Sequence, residues 1–147
     1  MNLPADRQLF HGEIASHWMD DGILISVATK LKHTVENTSE NLELIKTITL
    51  GKRIPLLVYV RPSPLPDRAT RKYVAGELPS VYTAIAIVST PALANCIMDL
   101  YFAGQKTPIP VQHFTDDWAA KAWLRDFIQE TPLLNNIEIS ELAIPAN

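Results

Sequence analysis

Arg61, Arg68, Arg71 and Lys72 put four cationic side chains within twelve residues. Arg68, Arg71 and Lys72 stand at i, i+3 and i+4, so any helix they occupy carries them on one face. A guanidinium is a planar fork that holds a carboxylate or a phosphate with two bonds, which an ammonium cannot do. Asp67, just ahead of them, is the kind of residue that caps a helix N-terminus. Three cations on one face repel, so the pattern expects an acidic partner or a small anionic ligand beside them. A solvated helix face, paired with neighbours such as Glu77, is the competing reading.

The remaining reactive side chains are less organised. His11, His17, His33 and His113 show no H-x3-H or H-E-x-x-H spacing and read as ordinary surface or strand histidines. Cys96 falls between Ala94 and Met98 in a helical stretch, without an adjacent base, and is expected as a small buried hydrophobe. Asp20-Asp21 belongs to a turn and Asp116-Asp117 to a helix start, so neither pair reads as a catalytic dyad. The chain has no G-x-S-x-G elbow, Walker loop or G-x-G-x-x-G fingerprint, and only five glycines. The expectation is no catalytic residue, no metal and no cofactor. The cluster Pro62-Ser-Pro-Leu-Pro66 reads as a rigid connector, with presentation as a polyproline II ligand the alternative.

Composition narrows the class further. The 147 residues are 47% apolar and 20% charged, in the range of one globular domain with a core of its own. A net charge of −3 argues against a general nucleic-acid binder, which is usually strongly basic. One cysteine excludes an intramolecular disulfide framework and a cysteine-rich zinc cage. Met1-Asn-Leu-Pro-Ala-Asp-Arg has no apolar run behind a basic start and does not resemble a signal peptide. The 21 uncharged residues between Glu77 and Asp99 are interrupted by Ser89-Thr90-Pro91, and a strand followed by a helix is expected there instead of a membrane span. A cytoplasmic protein with no integral membrane segment is expected.

The elements that must position these residues follow from pattern. Residues 13–19 and 23–28 flank Asp20-Asp21-Gly22, which marks an antiparallel hairpin. Thr34 reads as the cap of a helix with Val35, Thr38, Leu42, Ile45 and Ile48 on one stripe, ended by Gly51. Ile54-Pro-Leu-Leu-Val-Tyr-Val60 reads as a central strand once past Pro55, followed by the proline loop. Asp67 caps a helix to about Leu78, with Ala69, Tyr73 and Val74 on a partial apolar face. Thr83–Val88 is a buried strand, Pro91–Phe102 a helix ended by Gly104, and Pro108–Phe114 a short strand. Thr115 is expected to cap a last helix that turns Trp118, Ala119, Ala122, Trp123 and Ile128 inward. The order β-β-α-β-α-β-α-β-α predicts an α/β domain with a mixed sheet of about five strands and about four helices. It occupies residues 1–128. Residues 129–147 form a tail, in which Ile137 to Ile139 either add an edge strand, in the same chain or a second copy, or belong to a frayed terminus.

This order resembles the SpoIIAA-like branch of the STAS and CRAL-TRIO-type domains. The resemblance rests on the hairpin Trp18-Met-Asp-Asp-Gly-Ile-Leu, on Gly51-Lys-Arg-Ile-Pro-Leu-Leu-Val, and on Arg61 with Asp67-Arg-Ala-Thr-Arg-Lys-Tyr73. It continues in Phe114-Thr-Asp-Asp and Ala122-Trp-Leu124, and spans about residues 13–128. It implies a non-catalytic regulatory or protein-interaction module, with binding of a small anionic or amphiphilic ligand, nucleotide-like or lipid-like, as the alternative. Antagonist-type members carry a phosphorylated Ser directly after an Asp at this helix start. Here Arg68 stands at that place and Thr70 is the nearest hydroxyl, which puts the phosphoswitch in doubt. Tyr59, where relatives often have an acid, is a second departure. The candidate ligand or partner residues are Arg61, Asp67, Arg68, Thr70, Arg71 and Lys72. A protein partner or a homodimer is the expected assembly.

Overall fold

At Asp21 and Gly22 the backbone takes two successive left-handed conformations, with φ of 52° and 83°. That pair makes the two-residue turn whose twist matches the strands on either side. β2 (Ala15–Asp20) and β3 (Ile23–Ala28) therefore pair antiparallel, from Asp20 opposite Ile23 to Ala15 opposite Ala28. β4 (Ile54–Tyr59), β5 (Tyr82–Val88) and β6 (Val111–Phe114) then add in parallel. These relations come from a computed structural model that describes residues 3–102 and 106–129. A short strand, β1 (Phe10–His11), pairs antiparallel with β2, so the sheet has six strands in the order β1-β2-β3-β4-β5-β6. That is one more than expected. Two residues are too few to show an alternation, and β1 is set by the tight turn in which Gly12 N–H donates to the Ala15 carbonyl at 2.9 Å.

Side-chain alternation along the strands divides the core in two. Leu24, Leu56, Ile85 and Ile87 face one side, where they meet Leu42 and Ile45 of α1 (Val35–Thr49), Leu78 of α2 (Arg68–Val81) and Ala94 of α3 (Pro91–Phe102). Ile23, Ile25, Leu57, Ala84 and Ala86 face the other, against Ala120 and Leu124 of α4 (Asp117–Leu124). The small Ala84 and Ala86 let α4 lie close to the sheet through its own Ala120. A 3₁₀ turn, Arg125–Phe127, follows α4 and extends an aromatic cluster in which Trp123 and Phe127 have ring centroids 4.9 Å apart.

Local chemistry explains the ends of the helices. Thr34 and Asn37 form a reciprocal capping box, each side chain accepting from the other's backbone N–H. α1 ends through two left-handed residues, Leu50 and Gly51, so Leu50 shares the role expected of Gly51 alone. Val35 of the expected stripe is exposed; the buried stripe starts at Thr38. α2 runs three residues past Leu78 and takes in Pro79, because the helix needs only one bond fewer there and Tyr82 N–H still donates to Leu78. Ala69 points outward, while Tyr73 and Val74 are half-buried. β4 begins at Ile54 with Pro55 inside it, accommodated by a register shift between the two.

Three expectations are corrected. Cys96 is exposed, because the inward stripe of α3 passes through Ala94 and Ile97, and a residue two positions beyond Ala94 lies on the opposite side. Asp116, not Thr115, caps α4 by accepting from Ala119 N–H at 2.8 Å. That phase turns Ala120 and Leu124 inward and leaves Trp118 outside at 78% exposure, with Ala122 also exposed. The strand expected from Pro108 starts only at Val111, since Pro108 and Pro110 have no N–H for a ladder. Gly104 and the edge strand expected at Ile137 to Ile139 lie outside the described residues.

Candidate functional site

Where α1, α2 and α3 spread over the sheet they do not fill the space beneath them. A cavity of about 200 Å³ remains, floored by Leu56, Val58, Ile85 and Ile87 and walled by Leu42, Val74 and Ile97. The apolar floor follows from strand alternation, which aims every second residue of β4 and β5 at these helices. A few polar groups interrupt the lining: Thr38 and Asn41 of α1, Glu77 of α2, Tyr101 of α3, and His33. Thr38 Oγ1 is fully buried, closed even to water, and has no hydrogen-bond partner among the described residues. An uncompensated buried hydroxyl costs about 1–3 kcal/mol.

A second chamber of about 340 Å³ adjoins the first, the two sharing His33, Val58, Val60, Ile97 and Tyr101. Its outer walls are Arg61, the proline loop from Pro62 to Pro66, and Cys96. Pro62, Ser63, Pro64 and Leu65 of that loop are exposed. Burial pushes the His33 imidazole below its ordinary pKa, so it sits there neutral near pH 7. Burial also pushes the Tyr101 phenol up, with the positive charge of Arg71 pulling the other way.

The residues singled out in the sequence are separated by the fold. Arg61 reaches the outer chamber. Asp67 is the α2 cap: its Oδ1 accepts from the backbone N–H and the hydroxyl of Thr70, both at 2.8 Å. These two bonds, the backbone one foremost, hold the Asp67 carboxyl below the usual range. Arg71 donates to the Pro66 carbonyl at 2.8 Å and so staples the proline loop onto α2. Arg68 and Lys72 are exposed and line neither chamber. Thr70 is only 1% exposed, which closes its hydroxyl to a modifying enzyme while the cap is formed.

One polar chain escaped the sequence reading. His17 is fully buried; its Nδ1 lies 2.6 Å from Ser26 Oγ and its Nε2 lies 2.8 Å from Asn41 Oδ1. An amide oxygen only accepts, so Nε2 carries the proton and Nδ1 accepts from the Ser26 hydroxyl. Desolvation lowers the His17 pKa, and the bond to Asn41 offsets part of that. The Ser-His-Asn order is that of an activated nucleophile, yet Ser26 is buried and lines neither chamber. What the chain does is fix Asn41, which lines the inner chamber. Signals for it were scattered over β2, β3 and α1, with no spacing to join them. Among the described residues no group of three His, Cys, Asp or Glu is placed to hold a metal ion.

The model of a domain of unknown function, DUF7793, matches residues 17–128, which span the sheet from β2 to β6 and all four helices. The chain belongs to the DUF7793 family. Its fold is SpoIIAA-like: it is similar to the crystal structure of an uncharacterized DUF3478-family protein with that fold from Shewanella loihica PV-4. The two align with a TM-score of 0.54 and 17% identity over 84% of this chain and 99% of that one. No curated protein matches the chain. The fold expected from the hairpin and the alternating elements is thus the fold found, with one strand added. Among the described residues of this DUF7793 chain, no helix is long and apolar enough to cross a membrane.

Proposed function

We propose that this domain is a non-catalytic module of the cytoplasm that shelters a small, largely apolar ligand between its sheet and helices α1 to α3. The observation that carries the reading is the apolar cavity itself, interrupted by the few polar side chains Asn41, Glu77, His33 and Tyr101. Ligand sites are concave and mostly apolar with a few placed polar groups, and this one has that composition. Asn41, held by His17, offers a fixed polar group from α1.

Native mass spectrometry of the protein purified without denaturation tests this. The expected result is an adduct that organic extraction removes, with uptake of the apolar fluorophore N-phenyl-1-naphthylamine afterwards. Val74→Phe, which fills the cavity from α2, should abolish that uptake. A bare mass together with no fluorophore uptake by the wild type would end the proposal. The regulatory reading, docking of a protein partner, has Trp118 in its favour, a large apolar side chain 78% exposed on α4.

A further inference from the structure

We infer that the ligand is an anionic single-chain amphiphile, lying with its chain in the inner chamber and its head beside Arg61 in the outer one. This rests on the ligand-holding reading above and adds the ligand's class and direction.

Three observations set the direction. The chambers adjoin at His33 and Tyr101, and the exposed proline loop lines only the outer one. A chain that passes these shared side chains has its two ends in different surroundings. Arg61 is the one Lys or Arg on either lining, and it makes no hydrogen bond or ion pair among the described residues. Arg7, Arg53 and Arg71 are each engaged with backbone or carboxylate groups, so Arg61 is set apart from them. It stands two residues past the end of β4 and precedes Pro62, Pro64 and Pro66, which restrict the loop that carries it. Its fork is therefore held near the mouth with its donors unspent.

The opposite charge lies at the other end. Among the described residues Glu77 is the one carboxylate on either lining, and it faces the inner chamber. An anionic head placed there meets a like charge, whereas one placed at Arg61 meets the cation, so a single orientation is favoured.

Displacement of N-phenyl-1-naphthylamine by decanoate, decanol and decylamine reads this directly. Decanoate should displace it at about tenfold lower concentration than decanol, the order expected for one charge-assisted contact, and added salt should shrink the gap. Arg61→Ala, checked for an unchanged circular dichroism spectrum, should bring decanoate level with decanol. Arg68→Ala/Lys72→Ala should leave the gap intact. Equal displacement by decanoate and decanol in the wild type, an unaltered gap in Arg61→Ala, or preference for decylamine would overturn the inference while the ligand-holding reading stands. Failure of every chain to displace the probe would overturn the inference too, and failure of the probe to bind at all would remove both.

Discussion

Tyr59 donates its hydroxyl proton to Asp117 Oδ2 at 2.6 Å and so ties the end of the central strand β4 to the first turn of α4. The distance is that of a charge-assisted bond, and the acceptor sits where the helix dipole favours a negative charge. Burial, and then the carboxylate itself, push the Tyr59 phenol above its ordinary pKa, so it remains a donor at any pH the fold meets. Tyr59→Phe should therefore destabilise the domain by about 1–2 kcal/mol, read as a lower urea midpoint with an unchanged slope. Asp117→Asn keeps an acceptor oxygen and should cost less than half as much. No loss in Tyr59→Phe would mean that the bond adds nothing net to stability.

His17 and His33 give the fold an acid limit. Burial holds both below the ordinary value of 6.5, so the unfolded chain takes up protons first as the pH falls. Their contribution is complete above about pH 6.5 and is lost progressively below it, by up to about 1.4 kcal/mol per pH unit for each histidine until the folded form titrates. Thermal melts at about pH 7 and about pH 5 should show the loss. His33→Gln should make it shallower, since His17 alone then contributes. A melting temperature that stays level across this range would contradict the burial of both rings.

Leu50 ends α1 with φ of 57° and is 86% exposed, so it pays for a left-handed backbone without burying its side chain. A left-handed L-residue costs about 1–2 kcal/mol, and glycine avoids this at an entropic cost of roughly 0.5–1 kcal/mol. Leu50→Gly should raise stability by about 0.5 kcal/mol, seen as a melting temperature higher by one to two degrees. A lower melting temperature would show that the Leu50 side chain makes a contact worth more than the strain.

The parts of this fold that were legible in the sequence are those governed by local chemistry. Asp21-Gly22 announces its turn because few residues accept two left-handed conformations in succession, and Thr34 and Asp67 cap the helices they precede. Helix phase was harder. A choice between Thr115 and Asp116 as cap rotates α4 by about 100°, and that rotation moves Trp118 from core to surface. The candidate site was legible at one residue only. Arg61 was chosen for its charge and does face a chamber, whereas Arg71 is engaged by the proline loop and Asp67 by its own helix. Thr38 and Asn41 come from α1, His33 from the segment before it and Glu77 from α2, and the cavity they line depends on how far the helices spread. No periodicity records that.

Thr38 offers the most direct separation of stability from function. Its hydroxyl is buried without a partner, and valine has nearly the same shape with a methyl group in its place. Removing an unsatisfied polar atom without opening a void is neutral to stabilising, so Thr38→Val should stabilise the ligand-free protein by about 1 kcal/mol. For a domain of this size that is a rise of roughly 2–4 °C in melting temperature. The atom is closed even to water, so a ligand in the cavity does not reach it, and the same change should leave fluorophore uptake unaltered. A variant that melts lower would mean that Thr38 Oγ1 has a partner inside the fold, and a variant that melts higher would show the cost of leaving the hydroxyl without one.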